Sequence, residues 1–286
     1  MKTLKSKSLF RLALDRLLRN KAAMTSLLVL GLIILAALLA PSLRPFEIDE
    51  VFWDDIGTAP SLQNGHWFGT DSNGRDLFVR TMFGVRISLL VALCATVVSL
   101  VIGVLYGAIA GYVGGAVDNL MMRFVDVLYA MPFMFFVILL MSFFGRNIYL
   151  MFVAIGAVEW LTMARIVRGQ TLSLRQKEFV LAAEEMGVSR RQIIWRHIIP
   201  NTLGLVVIYS TLTIPVVILT ESFLSFIGLG VQEPLSSLGV LIDAGAKEMQ
   251  TAPWTLVFPG SLLAIILFCL NFIGDGLRDA LDPKDR

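Results

Sequence analysis

Residues 22–40 and 87–117 carry no charged side chain, and neither do residues 127–145, 198–220 and 249–274. About 20 consecutive apolar residues is the length that takes a helix across the hydrocarbon core of a bilayer. Inside that core every backbone polar group must be bonded within the protein, so spans this long and this apolar are helices. A weaker sixth run, 147–166, is interrupted by Glu159. Only 16% of the residues are charged and 56% are hydrophobic, against roughly 25% charged in soluble domains. The expected fold class is therefore an all-α integral membrane protein with six transmembrane helices. The Gly-rich stretch 111–115 is expected to end the second.

Lysine and arginine sort by side. Of the 24 basic residues, 18 fall in the segment before residue 22, around Arg123, between Arg165 and Arg196, and after residue 277, while 6 fall on the opposite side. Basic residues concentrate on the cytoplasmic face, so both termini are expected there. The first apolar run is longer than a signal-peptide core, and Pro41 follows its one plausible cleavage position, so an uncleaved anchor is expected. Ahead of it, Phe10, Leu14, Leu17 and Leu18 share one helical face, the pattern of a short helix lying on the membrane surface. Cys94 and Cys269 sit within apolar runs as small buried hydrophobes, and no cysteine or histidine spacing matches a metal site.

One charged stretch stands between the fourth and fifth spans. In "EFVLAAEEMGVSRRQIIWRHIIPN", residues 178–201, Ala182 and Ala183 favour helix and Gly187 supplies a stop. Ser189 precedes Gln192 by three residues, a capping box that starts a second helix. Two short helices with small residues at their elbow suit docking of another protein; a connector lying on lipid headgroups is the alternative that the residues themselves leave open.

This stretch resembles the cytoplasmic EAA loop of ATP-binding-cassette importer permeases: Glu-Ala-Ala, three residues, Gly, nine residues, Ile, one residue, Leu-Pro. Ala182, Ala183, Gly187 and Pro200 match, whereas Leu181 stands for the Glu, His197 for the Ile and Ile199 for the Leu. The segments "FGTDSNGRDLFVR" (68–80), "ARIVRGQTLSL" (164–174), "ESFLSFIGLGVQEPLSS" (221–237) and "FIGDGLRDALDP" (272–283) resemble, in order, the C-type membrane subunits of bacterial oligopeptide permeases. The resemblance implies a type I importer permease bundle in a bacterial inner membrane. Its expected parts are a cytoplasmic amphipathic segment (1–21), a first transmembrane helix (22–40), a periplasmic loop (41–86), a five-span core (87–275) holding the EAA loop (167–201), and a cytoplasmic tail (276–286). It implies ATPase coupling through Ala182, Ala183, Glu184, Gly187, Val188, Ser189 and Pro200. It also implies a second homologous permease subunit, two cytoplasmic ATPase subunits and a periplasmic peptide-binding protein as partners, with the bilayer around them and no nucleic acid. On the same scaffold, relatives carry dipeptides, metals or opines.

No G-x-x-x-x-G-K-[ST] occurs, so no phosphate-cradling loop is expected in this chain; no cofactor is expected, and ATP is left to the partners. H-E-x-x-H and G-x-S-x-G are absent too, and His66 and His197 stand alone, so a transport subunit is expected rather than an enzyme. The run "DSNGRD" (71–76) lacks the Gly and Glu spacing of a calcium loop and reads as a turn at Asn73-Gly74. Seven acids from Glu47 to Asp76 mark the outer loop. Arg123 and Asp126, three apart, are expected to pair with each other. Glu159 and Glu221 are the candidate translocation-path residues, since ionisable groups in spans are costly and tend to be functional. Glu221 facing a cavity would meet a peptide's amino terminus; at the outer interface it would be satisfied by water or a partner. An ion-coupled secondary transporter is the rival class, and these two glutamates are a thin supply for it. A scaffold subunit that does not transport is a second. Pro215, Pro253 and Pro259 are expected at kinks or helix starts.

Overall fold

The computed structural model describes residues 9–44, 46–145 and 147–281. Lys2, Lys5, Lys7, Arg146, Lys284 and Arg286, counted above among the basic residues, lie outside the described residues. The described chain is helical, without strands: α1 Leu9–Arg19, α2 Lys21–Leu43, α3 Leu77–Val113, α4 Gly115–Ala130, α5 Phe133–Phe144, α6 Ile148–Arg175, α7 Glu178–Glu185, α8 Arg190–Ile193, a π-helical turn Ile194–Ile198, α9 Ile199–Phe226, α10 Leu238–Lys247 and α11 Trp254–Leu281. Five of these stretches are long and apolar enough to cross a membrane, and α4 with α5 makes a sixth if the bent pair is one span. Two compact units divide the chain, Met1–Ile87 with Glu233–Arg286, and Ser88–Gln232.

In the first unit, α2 lies along α11, and α10 and α1 also pack on α11. Asn20 separates α1 from α2 and caps the latter, its Oδ1 accepting from Ala23 N at 3.1 Å. The side chain of Leu17 lies by Gly276 of α11, beside Ala23. Phe10, expected on the same face, has a side chain outside the described set. Many leucines of α2 are exposed, among them Leu28, Leu32 and Leu38, as for a helix whose apolar surface continues all round and whose solvent is lipid. The segment between α2 and α3 is shorter than the expected periplasmic loop 41–86, because α3 already begins at Leu77. Asp76 starts it: its Oδ1 accepts from Val79 N at 2.9 Å, satisfying a donor that a helix start leaves free.

In the second unit α6 is central, packing against α4, α5, α7 and α9. Its approach to α3 is close. Gly103, Gly107 and Gly111 recur every four residues along α3, and a Cβ at any of them would run into α6, at Gly103 within 2.6 Å of Met163 Cβ and at Gly111 within 2.8 Å of Arg168 O. Small residues at four-residue spacing let two helix backbones approach, which is how helices associate where lipid removes the hydrophobic driving force. The expected third span, 127–145, is not one helix. It breaks at Met131-Pro132, where Met131 is extended (ψ 136°) and the two helices meet at 86°. The residue before a proline is pushed out of the helical region, and the proline lacks the N–H that would continue the ladder. Pro215 and Pro259, by contrast, lie inside continuous helices, and Pro253 precedes α11.

Candidate functional site

The charged stretch folds as an elbow. α7 ends at Glu185, and Gly187 takes a left-handed conformation (φ +75°). Gly187 N donates to Glu184 O at 2.9 Å and Val188 N to Ala183 O at 3.1 Å, the paired bonds that close a helix with a left-handed residue after it. Ser189 then caps the next helix: its Oγ accepts from Gln192 N and donates to Gln192 Oε1 at 3.0 Å. Only part of the expected second helix is separate. α8 continues through the π turn into α9, with Ile199 N donating to Ile194 O, five residues back. Pro200 explains the widening, since its ring clashes with the carbonyl four residues earlier and a π turn opens that space.

The inner face of the elbow is clamped. Val180, Ala183, Ile193, Ile194 and Ile198 are buried together with Ala108 and Tyr112 of α3, Met163, Val167 and Leu174 of α6, and Val206 of α9. The Tyr112 hydroxyl donates to Glu184 Oε1 at 2.8 Å. The outer face is different: Ala182 and Glu184 are exposed, and so are Phe179, Leu181 and Met186. Of the positions matched to the family loop, Ala183 is thus part of the core, Val188 is half-buried, and Ala182, Glu184, Gly187, Ser189 and Pro200 are accessible. A rigid body with an apolar outer patch is what a docking partner needs to grip.

Glu159 and Glu221 part company. Glu221 is fully buried, with Ser88 Oγ donating to Oε2 at 3.0 Å and Ser225 Oγ to Oε1 at 2.8 Å. Its two oxygens are bonded within the protein, so it is neither facing a cavity nor left to water at an interface. Glu159 lines a cavity of about 660 Å³ between α4, α5, α6 and α9, together with Tyr129, Thr162, Tyr209, Thr213 and Thr220 among apolar neighbours. No hydrogen bond or ion pair reaches it from the described residues.

Asp126 does not pair with Arg123. Its Oδ1 accepts from Arg165 Nη2 at 2.9 Å, and Arg165 also stacks 4.3 Å over the Tyr129 ring. Asp118 takes Arg168 in a two-bond fork, both at 2.6 Å. These two pairs join α4 to α6 and were not among the expectations; the available signal was two arginines three apart on α6 and two aspartates eight apart on α4. Pairing across helices ties α4 to α6, whereas neighbours on one helix surface gain only a few tenths of a kcal/mol.

The segment before α3 is folded tightly. Gly74 adopts φ +74°, and its N–H donates to Asp71 O at 2.9 Å, the turn that Asn73-Gly74 predicts. Asp71 spends its carboxylate on Asn73 N, Arg75 N and Arg75 Nε, each at 2.9 Å. Asp76 Oδ2 holds His66 Nδ1 at 2.8 Å, and the His66 ring lies against Phe46 and Phe52. Of the seven acids, Asp71 and Asp76 are therefore structural, while Glu47, Asp49, Glu50 and Asp54 face solvent. Arg75 Nη1 donates to Glu233 Oε1 at 2.8 Å. The guanidinium of Arg75 draws the Glu233 carboxyl below its ordinary range, against a smaller opposing effect of burial.

Apolar helices of bilayer length, an elbow clamped on its inner face and a largely apolar cavity holding Glu159 are the features of a membrane permease. Residues 99–286 match the family described as binding-protein-dependent transport system inner membrane component, and residues 8–61 match the N-terminal TM domain of oligopeptide transport permease C. The chain belongs to this family of inner-membrane transport components. It is 60% identical over 280 residues to the oligopeptide transport system permease protein OppC of Escherichia coli (strain K12), covering 98% of this chain and 93% of that one. It is 58% identical over 283 residues to the protein of the same name from Haemophilus influenzae, covering 99% and 91%. Among solved structures, a chain of the MetNI methionine ABC transporter in inward-facing conformations matches with a TM-score of 0.57 at 18% identity, covering 71% of this chain and 96% of that one. That likeness establishes the importer-permease fold.

Proposed function

We propose that this chain is one membrane subunit of an ATP-driven importer that carries oligopeptides across the inner membrane into the cytoplasm. The observation that carries the proposal is the elbow: an exposed apolar patch (Phe179, Leu181, Met186) on a loop whose other face is locked into α3, α6 and α9. A partner that moves such a loop moves the spans with it. The resemblance of this loop to EAA loops, and the oligopeptide permeases among its relatives, support ATPases as that partner. In this reading the elbow and both termini are cytoplasmic, and Ala182, Glu184, Gly187, Val188 and Ser189 meet an ATPase subunit. Ala183 shapes the elbow from its buried face, and the accessible Pro200 sets the π turn that leads into α9. A second, homologous permease completes a heterodimer with two ATPases, and a periplasmic peptide-binding protein approaches the outer segment with its solvent-facing acids. ATP binding closes the ATPase pair and rocks the bundles outward; hydrolysis returns them.

Reconstitution tests this reading. The complex of this chain with its partner permease, ATPases and binding protein, placed in proteoliposomes, is expected to accumulate labelled tri-alanine only with ATP and to ignore a protonophore. Uptake that collapses with the proton gradient while ATP is held constant would establish the ion-coupled class instead.

A further inference from the structure

We infer that Glu159 is the site that receives the α-ammonium group of the peptide during its passage, an assignment that rests on the import reading above. Four observations converge on it. The first is that, among the described residues, Glu159 is the one carboxylate or base lining the cavity between α4, α5, α6 and α9, apart from the two tyrosine phenols. An ionised carboxylate among apolar walls is costly unless a cation or donor answers it.

The second is that nothing within the described residues answers it. Arg165, the nearest cation to it in sequence, is already held by Asp126 and stacked on Tyr129. Glu221, the other glutamate within the spans, has its oxygens bonded by Ser88 and Ser225 and is closed off. The role that the sequence offered to Glu221 therefore falls to Glu159.

The third is the chemistry of the surrounding hydroxyls. Thr213 donates its hydroxyl proton to Tyr209 O at 2.8 Å, and Thr220 donates to Val216 O at 2.9 Å. With their protons spent inside α9, these threonines offer lone pairs to the cavity. A carboxylate plus hydroxyl acceptors is the complement of a group with three donors, no acceptor and a positive charge. A primary ammonium fits that description.

The fourth is position. Glu159 stands well inside α6, which runs from Ile148 to Arg175, away from both helix ends, and ionisable groups within spans mark substrate paths by default. The cavity, at about 660 Å³, has the size of a small-ligand site. Peptide side chains vary without limit, but every unmodified peptide presents the same amino terminus, so one acid with hydroxyl acceptors beside it handles all of them.

The experiment uses the reconstituted complex with tri-alanine and its N-acetyl form. During ATP-driven turnover a hydrophobic carbodiimide activates the Glu159 carboxylate, and the peptide amine displaces the urea to leave an amide. Mass spectrometry is expected to find tri-alanine joined to the fragment bearing Glu159, and no adduct with the acetylated peptide. Glu159→Gln is expected to lower tri-alanine uptake at least about tenfold, the loss of one charge-assisted hydrogen bond, while Glu159→Asp stays within about threefold of wild type. Co-purification of the partner subunits with each variant reads out folding. Uptake at the wild-type rate by Glu159→Gln, or turnover without any adduct at Glu159, overturns the assignment while leaving import intact. A wild-type complex that takes up no tri-alanine overturns the import reading and this site with it.

Discussion

The pair formed by Tyr112 and Glu184 shows how much one contact can tie together. Glu184 is a solvent-facing residue on the elbow, yet its carboxylate accepts from a phenol that is 3% exposed at the end of α3. A hydrogen bond to a charged group contributes about 1.5–3 kcal/mol when well enclosed, and nearer 1 kcal/mol where water reaches one partner. A double-mutant cycle with Tyr112→Phe and Glu184→Gln, read by thermal unfolding in mild detergent, is expected to give a coupling of about 1 kcal/mol. Additive effects would show that the bond does no tethering. Before α3, the Arg75 guanidinium lowers the Glu233 carboxyl from its ordinary 4.5. A depressed acid stabilises the fold above its unfolded-state value and loses that contribution as pH falls through the lower, folded value. Stability is therefore expected to hold down to about the ordinary carboxylate range and to decline below it. Glu233→Gln should flatten that acid limb in melting curves taken against pH, by a modest amount because Glu233 is largely exposed.

At the scale of elements, two glycine features do different work. Gly187 has open space where a Cβ would stand, so its constraint is the left-handed backbone alone. Gly187→Ala is expected to cost about 1–2 kcal/mol, and Gly187→Asn less, because asparagine tolerates that conformation. Gly187→Glu adds charge beside the docking face and is expected to leave the chain inserted but uncoupled from ATP hydrolysis, measured as uptake per ATP in proteoliposomes. Gly107 is the opposite case: helical, and lined by the backbone and Val167 of α6. Gly107→Val should force α3 off α6 and lower the melting temperature in detergent markedly, since overpacking costs about 1–3 kcal/mol even where side chains can yield. Gly204→Ala, with nothing nearby, is the matched control and should be neutral. The three α3 glycines at four-residue spacing are legible in the sequence as a packing motif, but that they meet α6 is decided by the fold.

For the molecule as a whole, orientation is the property with the most consequences. In a background with Cys94→Ser and Cys269→Ser, Gln192→Cys on the elbow should react with a membrane-impermeant maleimide only from the cytoplasmic side. Leu62→Cys, on the exposed outer segment, should react only from the other. The reverse pattern would overturn the topology read from the basic residues.

The amino-acid sequence by itself determined the class: apolar runs of bilayer length, the side on which the basic residues gather, the stop at Gly187, the cap at Ser189 and the turn at Asn73-Gly74. Each of these follows from interactions within a few residues, so each can be read locally. Tertiary structure decided what depends on residues far apart in the chain. It gave Asp126 to Arg165 instead of Arg123, enclosed Glu221 between Ser88 and Ser225, and left Glu159 alone in a cavity. It broke the chain at Pro132 while α9 and α11 ran on through Pro215 and Pro259. Hydropathy records that a residue stands in a span, but the partner it meets is chosen by which helices pack together, and the cost of a buried charge makes that choice decisive.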